Sequence, residues 1–163
     1  MTGSDIPRAQ ILSSARRWLD TPYQHQASVK GAGCDCLGLI RGVWRDIYGA
    51  EPLAVPAYTP DWAESLGQET LLDAAQKCLT PIVKSAAQTG DVLLFRMAAS
   101  SPCKHLAIKS APDRIIHAYW GRAVVESYLV PYWVKRHAFS FSFPAAFPAR
   151  QKLSTHKMET LSL

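Results

Sequence analysis

The sequence predicts an α+β domain in which helices come first and a mostly antiparallel sheet of about five strands follows. Two patterns carry this prediction. Apolar residues recur at helical spacing in the first half of the chain, and after Gly90 they fall into short β-rich runs. The chain has 163 residues, of which 48% are hydrophobic and 19% charged. This composition supplies one hydrophobic core and excludes a largely disordered protein.

Three segments have the periodicity of amphipathic helices. The first runs from Pro7 to Leu19, where proline suits the first helical turn. The second covers the apolar series Leu39–Tyr48 and ends at Gly49, a residue suited to a left-handed C-terminal cap. The third spans Glu64–Leu79. A proline-rich connection, residues 51–59, separates the last two helices because proline disrupts regular structure.

The second half of the chain contains five short runs rich in β-branched and aromatic residues, each bounded by turn residues. These predicted strands are Asp91–Arg96, His105–Lys109, Arg114–Tyr119, Ala123–Leu129 and Ala138–Phe143. Beyond Pro148 the sequence becomes polar and loses its periodicity. We therefore expect a single domain over residues 1–148 and a polar C-terminal tail over residues 149–163.

Charge and hydropathy exclude several classes of function. Eighteen basic and 13 acidic residues give a net charge of +5 and a pI of about 9.1, which attracts anionic polymers weakly but does not predict a nucleic-acid partner. No run approaches the roughly 20 apolar residues of a membrane helix, so we expect no membrane insertion. The segment Met1–Arg8 lacks the pattern of a signal peptide. We therefore expect cytoplasmic synthesis.

The stretch 31–40 places a cysteine where a glycine-rich loop meets the start of a helix. Backbone N–H groups and the helix dipole stabilise negative charge there, so we expect the Cys36 thiol to ionise readily and act as a nucleophile. Asp35 lies where an N-cap carboxylate would accept hydrogen bonds from those N–H groups. Gly38, on the first turn, is expected to leave room for a substrate.

Two histidines on neighbouring predicted strands supply the base that a thiol nucleophile needs. His105 opens one strand and His117 lies in the next, and the separation of 12 residues suits adjacent antiparallel strands. A catalytic imidazole also needs a partner on its second nitrogen, which fixes its orientation. Trp120 follows the second strand and is a candidate for the wall of the cleft.

Two alternatives remain open from these residues alone. The first is a structural module stapled by a metal such as zinc, with Cys34, Cys36, Cys103 and His105 as a tetrahedral set, although the Cys-x-Cys spacing is tighter than in most zinc sites. The second is a protein that does not hydrolyse: either an acyltransferase or a catalytically inactive structural protein that uses the same pocket only for binding.

These residues resemble the NlpC/P60 family of cysteine peptidases, which cleave the peptide stems of the bacterial cell wall. The resemblance covers about residues 6–144 and rests on five motifs in the family's order. They are Thr21-Pro22-Tyr23, Asp35-Cys36-Leu37-Gly38, Gly90-Asp91-Val92, His105-Leu106-Ala107-Ile108 and Ile116-His117-Ala118.

The resemblance implies a papain-like α+β core and a role for each matching residue. Cys36 would be the nucleophile, His105 the general base and then acid, and His117 the residue that orients His105. Tyr23 matches the tyrosine that helps hold the oxyanion. The substrate would be the D-γ-glutamyl to diamino-acid bond of a peptidoglycan stem, and no metal or cofactor would be needed. Leu37 departs from the family pattern, in which a serine commonly follows the cysteine.

The closing run, residues 125–144, looks most like the branch of the family found in tailed phages and gene transfer agents. Membership of that branch would make the chain a tail component, with tail hub or tip proteins as partners. It would be assembled into a phage-like particle in the producing cell and would act on the wall of the recipient, in its periplasm. The tail, residues 149–163, and the proline-rich connection are candidate docking segments.

Overall fold

The chain forms four α-helices and eight strands in the part that the computed structural model describes, residues 6–54 and 68–145. The helices, numbered in chain order, are α1 (Arg8–Arg16), α2 (Cys36–Tyr48), α3 (Thr70–Cys78) and α4 (Pro131–Arg136). The strands are β1 (Ser28–Val29), β2 (Gly33–Cys34), β3 (Thr80–Ile82), β4 (Val92–Arg96), β5 (Cys103–Ala111), β6 (Arg114–Ala118), β7 (Val124–Tyr128) and β8 (His137–Ser142). The α+β class is confirmed.

The first two helices pack against each other at a glycine. Trp18, just beyond α1, is buried, and its ring occupies the space where a side chain at Gly42 of α2 would lie. The ends of α2 follow local rules. The Asp35 carboxylate accepts the Gly38 N–H at 2.7 Å, and Gly49 closes the helix with a φ of 84°.

The main sheet has six strands in the order β3-β8-β4-β5-β6-β7, and each neighbouring pair is antiparallel. Strands β1 and β2 form a separate two-stranded hairpin just before α2. The sheet is continuous from β4 to β7, so the hairpin β5–β6 that carries both histidines lies in its interior. This placement holds the two histidine strands rigidly.

Alternation along the strands gives the sheet two different faces. One face packs on α1 and α2 and forms the larger core, which includes Ile108 and Ile116. The other face is covered by α4 and forms a smaller cluster around Phe95 and Trp133. Side chains on the same face of neighbouring strands therefore lie in the same cluster, either the larger core or the smaller one.

The structure differs from the sequence-based prediction in three elements. The estimate of about five strands misses β3, because Pro81 lies at its centre; the strand is tolerated because it is at the sheet edge, where a missing N–H costs little. The short helix α4 and the hairpin β1–β2 were also not predicted, since they are too short to show periodicity.

Two other predictions lie at least partly outside the described residues. Helix α3 begins at Thr70, whereas the sequence predicts a start at Glu64, and residues 55–67 are not described. The boundary at residue 148 and the tail over residues 149–163 also lie outside the described ranges. In the described ranges, each helix is too short to cross a membrane.

Candidate active site

Cys36 is the first residue of α2, as the sequence predicts, and its thiol lies against the central sheet. The sulfur hydrogen-bonds to the carbonyl oxygen of Lys104 at 3.8 Å. Lys104 immediately precedes His105 on β5, so the helix start and the histidine strand meet at this point. Cys36 and His105 are both half-buried, which leaves the meeting point open to solvent on one side.

The loop before α2 is fastened to the helix start by Asp35. One carboxylate oxygen caps the helix, and the other accepts the backbone N–H of Gln26 at 2.8 Å. The Asp35 N–H in turn donates to the carbonyl of Ala27. Asp35 is therefore buried in a positioning role, beside the thiol but engaged with main-chain groups.

Gly38 does not leave room for a substrate, contrary to the expectation from sequence. A Cβ atom at this position would lie 1.9 Å from the carbonyl oxygen of Ala27. The space beside Gly38 is already filled by the loop, and the Ser28 hydroxyl donates to the Gly38 carbonyl at 2.6 Å. Glycine is needed because backbone packs directly on backbone there.

The Cys36 thiol does not ionise readily, which also corrects the expectation from sequence. Backbone N–H groups of Cys36, Leu37 and Leu106 lower its pKa, as a helix start should. Burial and the negative charge of Asp35 act in the opposite direction and dominate, so the pKa of the thiol rises to about 12. At neutral pH the group is a protonated thiol that needs a base.

His105 and His117 are joined by a direct hydrogen bond between their rings. Nε2 of His105 lies 2.8 Å from Nδ1 of His117. They share a face because β5 and β6 pair Ile108 with Ile116, and both histidines lie an odd number of residues from that pair. Within the described chain, His105 Nδ1 is the ring nitrogen that remains for a reaction partner.

Aromatic side chains enclose the histidine pair on the α4 face. The Trp133 ring stacks on His105, with centroids 5.0 Å apart and planes at 25°, and meets His117 edge to face at 5.2 Å. The centroid of the Phe95 ring lies 5.8 Å from that of His105. Burial in this environment lowers the pKa of His105 to about 3 and that of His117 to about 4, so both rings are neutral at pH 7.

Tyr23 and Trp120 form one aromatic pair near the helix start. Their ring centroids are 5.3 Å apart, and Tyr23 bridges to Cys34 next to the thiol-bearing turn. Burial, reinforced by the nearby Asp35 carboxylate, raises the pKa of the Tyr23 hydroxyl, so it is a hydrogen-bond donor at neutral pH. Trp120 is 65% exposed and presents its ring to solvent.

The alternative zinc set is not assembled. Cys34 and Cys103 are buried in the larger core, whereas the His105 ring stacks on Trp133 of the smaller cluster. Across residues 6–54 and 68–145, no three His, Cys, Asp or Glu side chains gather as a metal site. All four cysteines are free thiols.

Comparison with known protein families identifies the family to which this domain belongs. The sequence profile of the NlpC/P60 family matches residues 20–141, about three quarters of the chain and all of the site described above. The chain belongs to the NlpC/P60 family. Among curated protein sequences, none matches the chain.

Solved NlpC/P60 structures share the fold at low sequence identity. The NlpC/p60 domain of the peptidoglycan hydrolase SagA is 22% identical with a TM-score of 0.60, over 85% of this chain and 100% of that domain. An NlpC/P60 family protein from Bacillus cereus is 18% identical with a TM-score of 0.61, over 86% of this chain. The peptidoglycan hydrolase RipB from Mycobacterium tuberculosis is 17% identical with a TM-score of 0.52, over 83% of this chain and 67% of that protein. The chain spans only 42% of the Bacillus protein.

Two residues of this NlpC/P60 site are not predicted as site members from the sequence. Ser127 on β7 lies 2.9 Å from Nε2 of His117, and Trp133 on α4 covers both histidines. Strand alternation alone does not reveal Ser127, because its place beside His117 depends on the register that pairs His117 with Val125. Trp133 gave no such signal, since its helix has only six residues.

Proposed function

We propose that this NlpC/P60 domain hydrolyses an amide bond in the peptide stems of peptidoglycan, with Cys36 as the nucleophile. One observation carries the proposal: the thiol at the start of α2 lies against the strand residue that precedes His105, and the second nitrogen of His105 is held by His117. A nucleophile, a base and a group that orients the base are the parts that acyl transfer requires.

The class of substrate is inferred from the family and from charge. SagA and RipB, which share this fold, are both described as peptidoglycan hydrolases. A net charge of +5 favours approach to an anionic cell wall. By its resemblance to the family, the bond cleaved is the one between D-γ-glutamate and the diamino acid of the stem.

The first half of the reaction transfers one proton and forms one bond. Because the thiol and both imidazoles are neutral at pH 7, His105 Nδ1 removes the Cys36 proton as the sulfur attacks the carbonyl carbon. The backbone N–H groups at the start of α2 and the Tyr23 hydroxyl donate to the oxyanion that develops. His105 then gives its proton to the amine nitrogen, the C–N bond breaks, and a thioester remains on Cys36.

The second half returns the enzyme to its starting state. A water molecule replaces the departed amine, and His105 Nδ1 removes its proton as the oxygen attacks the thioester. The C–S bond breaks, the sulfur regains the proton from His105, and the product leaves as a carboxylic acid. His117 keeps the ring of His105 in place through both halves. Tyr23, whose ring pairs with that of Trp120, would line the approach to the thiol together with it.

The test is digestion of purified peptidoglycan fragments, followed by mass spectrometry of the products. Wild type should release a stem fragment that is cut at a single amide bond, and Cys36→Ala should release none. Cys78→Ala is the matched control, because it removes a half-buried thiol on α3; it should cleave at the wild-type rate. Cleavage by Cys36→Ala, or no cleavage by a folded wild type, would refute the proposal, and the second result would favour the inactive structural alternative.

We further propose that the domain acts as a component of a phage-like or gene transfer agent tail, partnered by hub or tip proteins. The support is the resemblance of residues 125–144 to that branch of the family. Particles purified from a producing strain should contain the chain in a fixed ratio to tail proteins, as measured by quantitative mass spectrometry. Its recovery only in particle-free fractions would refute this assignment.

A further inference from the structure

We propose that Ser127 is a positioning residue for the reaction, because its hydroxyl selects the tautomer in which His105 can act as a base. The inference rests on the proposed function and adds a fourth member to the series Cys36, His105 and His117. The hydrogen-bonded series runs across three neighbouring strands, from His105 on β5 through His117 on β6 to Ser127 on β7.

The register of the sheet places these three side chains in one row. His117 pairs with Val125 across β6 and β7, and Ser127 lies two residues further along, on the same face. The distance from His117 Nε2 to Ser127 Oγ is 2.9 Å, and His117 itself is 1% exposed. Both ring nitrogens of a fully buried histidine are therefore engaged, one by His105 and one by Ser127.

The two bonds allow only two arrangements of protons in the neutral pair. If His117 carries its proton on Nε2, it donates to Ser127 and accepts at Nδ1 from His105 Nε2–H. His105 Nδ1 then has a lone pair and is a base. If His117 carries its proton on Nδ1, it donates to His105 Nε2, and His105 must hold its own proton on Nδ1. The second arrangement has no base at the thiol side.

Ser127 favours the first arrangement when its oxygen acts as an acceptor. Ser127 is half-buried, so its own hydroxyl proton has access to water, whereas the His117 Nε2–H has no outlet other than Ser127 Oγ in the described chain. A buried N–H without an acceptor is costly. Removal of the hydroxyl would leave that N–H unpaired and shift the pair toward the arrangement in which His105 cannot accept the thiol proton.

The experiment compares three variants of the full chain. Ser127→Ala removes the hydroxyl, and Ser127→Thr keeps it. Ser110→Ala is the matched control: it removes a buried serine hydroxyl on β5 that has no hydrogen-bond partner in the described part of the chain. Two readouts are taken on each: kcat and KM on a stem-peptide fragment, and the ¹⁵N chemical shifts of the histidine ring nitrogens at pH 7.

Ser127→Ala should lower kcat about tenfold or more with KM unchanged, the effect of one lost buried hydrogen bond on the reacting state alone. Its His117 ring should gain Nδ1–H character in the nitrogen spectrum. Ser127→Thr should recover most of the wild-type kcat, and Ser110→Ala should match wild type in both readouts.

Two results would overturn the inference. One is a Ser127→Ala protein with wild-type kcat and an unchanged His117 tautomer, which would mean that water replaces the hydroxyl. The other is a Ser127→Thr protein as impaired as Ser127→Ala, which would mean that only packing matters. If wild type cleaves no substrate, the proposed function fails, but the nitrogen spectra still decide whether Ser127 sets the tautomer.

Discussion

Substitution of Gly38 by alanine tests whether backbone packing at the start of α2 positions the thiol. The new Cβ would lie 1.9 Å from the Ala27 carbonyl oxygen, so loop and helix must separate by about 1 Å before the contact reaches 3.0 Å. Overpacking of this kind costs about 1 to 3 kcal/mol of the free energy of unfolding. The displaced groups include the Asp35 cap and, next to it, Cys36. A shift of that size at a reacting group lowers kcat by roughly a hundredfold.

The assay measures stability and activity on the same preparations. Thermal unfolding followed by circular dichroism gives the loss of stability, and stem-peptide cleavage by the folded protein gives kcat. Gly42→Ala is the control, since its Cβ would lie 1.9 Å from the Trp18 ring, nearly two helical turns beyond Cys36. It should lose stability but keep the kcat of wild type. A Gly38→Ala protein with wild-type Tm and kcat would refute the assignment of Gly38 to loop packing.

Three further predictions follow from charges in the structure. Burial lowers the pKa of His117 to about 4, so the stability contributed by its neutral ring is complete above about pH 6.5 and is lost as the pH falls toward 4. In urea titrations, the free energy of unfolding should therefore fall less between pH 8 and pH 5 in His117→Asn than in wild type. Asp35→Asn should lower the pKa of the Cys36 thiol, because the Asp35 charge raises it; the pH dependence of iodoacetamide alkylation checks this, and an unchanged profile contradicts it. Arg8→Met should lower the free energy of unfolding by about 1 to 3 kcal/mol, because buried Asp91 loses a hydrogen-bond partner, and the double variant with Asp91→Asn should regain part of that loss in urea titrations.

Much of the fold follows from local sequence signals. The boundaries of α2 depend on an N-cap aspartate and a C-terminal glycine, both of which act within one helical turn. The five predicted strands all occur, each within two residues of its expected limits, because β-branched and aromatic residues are concentrated in short runs bounded by turn residues. Elements stabilised only by distant contacts were not predictable: β3 owes its strand conformation to pairing with β8, and α4 is a single short helix packed on the sheet.

The candidate site likewise has features that local sequence predicts and features that depend on distant contacts. The sequence by itself determined that Cys36 begins a helix and that His105 and His117 lie on adjacent strands, because capping residues and hairpin spacing are local properties. It also carried the family resemblance, since the motifs lie in contiguous residues. Two of its predictions at the site are wrong. Gly38 packs on Ala27, which local sequence patterns do not place beside it, and the ionisation of Cys36 depends on burial by the whole fold.

Only the tertiary structure decided how protons are held in the site. The pKa values of the thiol and both imidazoles depend on burial, which results from packing α2 on one face of the sheet and Trp133 on the other. The bond from His117 to Ser127 depends on the register of β6 and β7, which no local pattern reveals. Sequence determines which reactive groups are present and on which elements, whereas solvent exclusion and strand register decide their charge and hydrogen-bond partners.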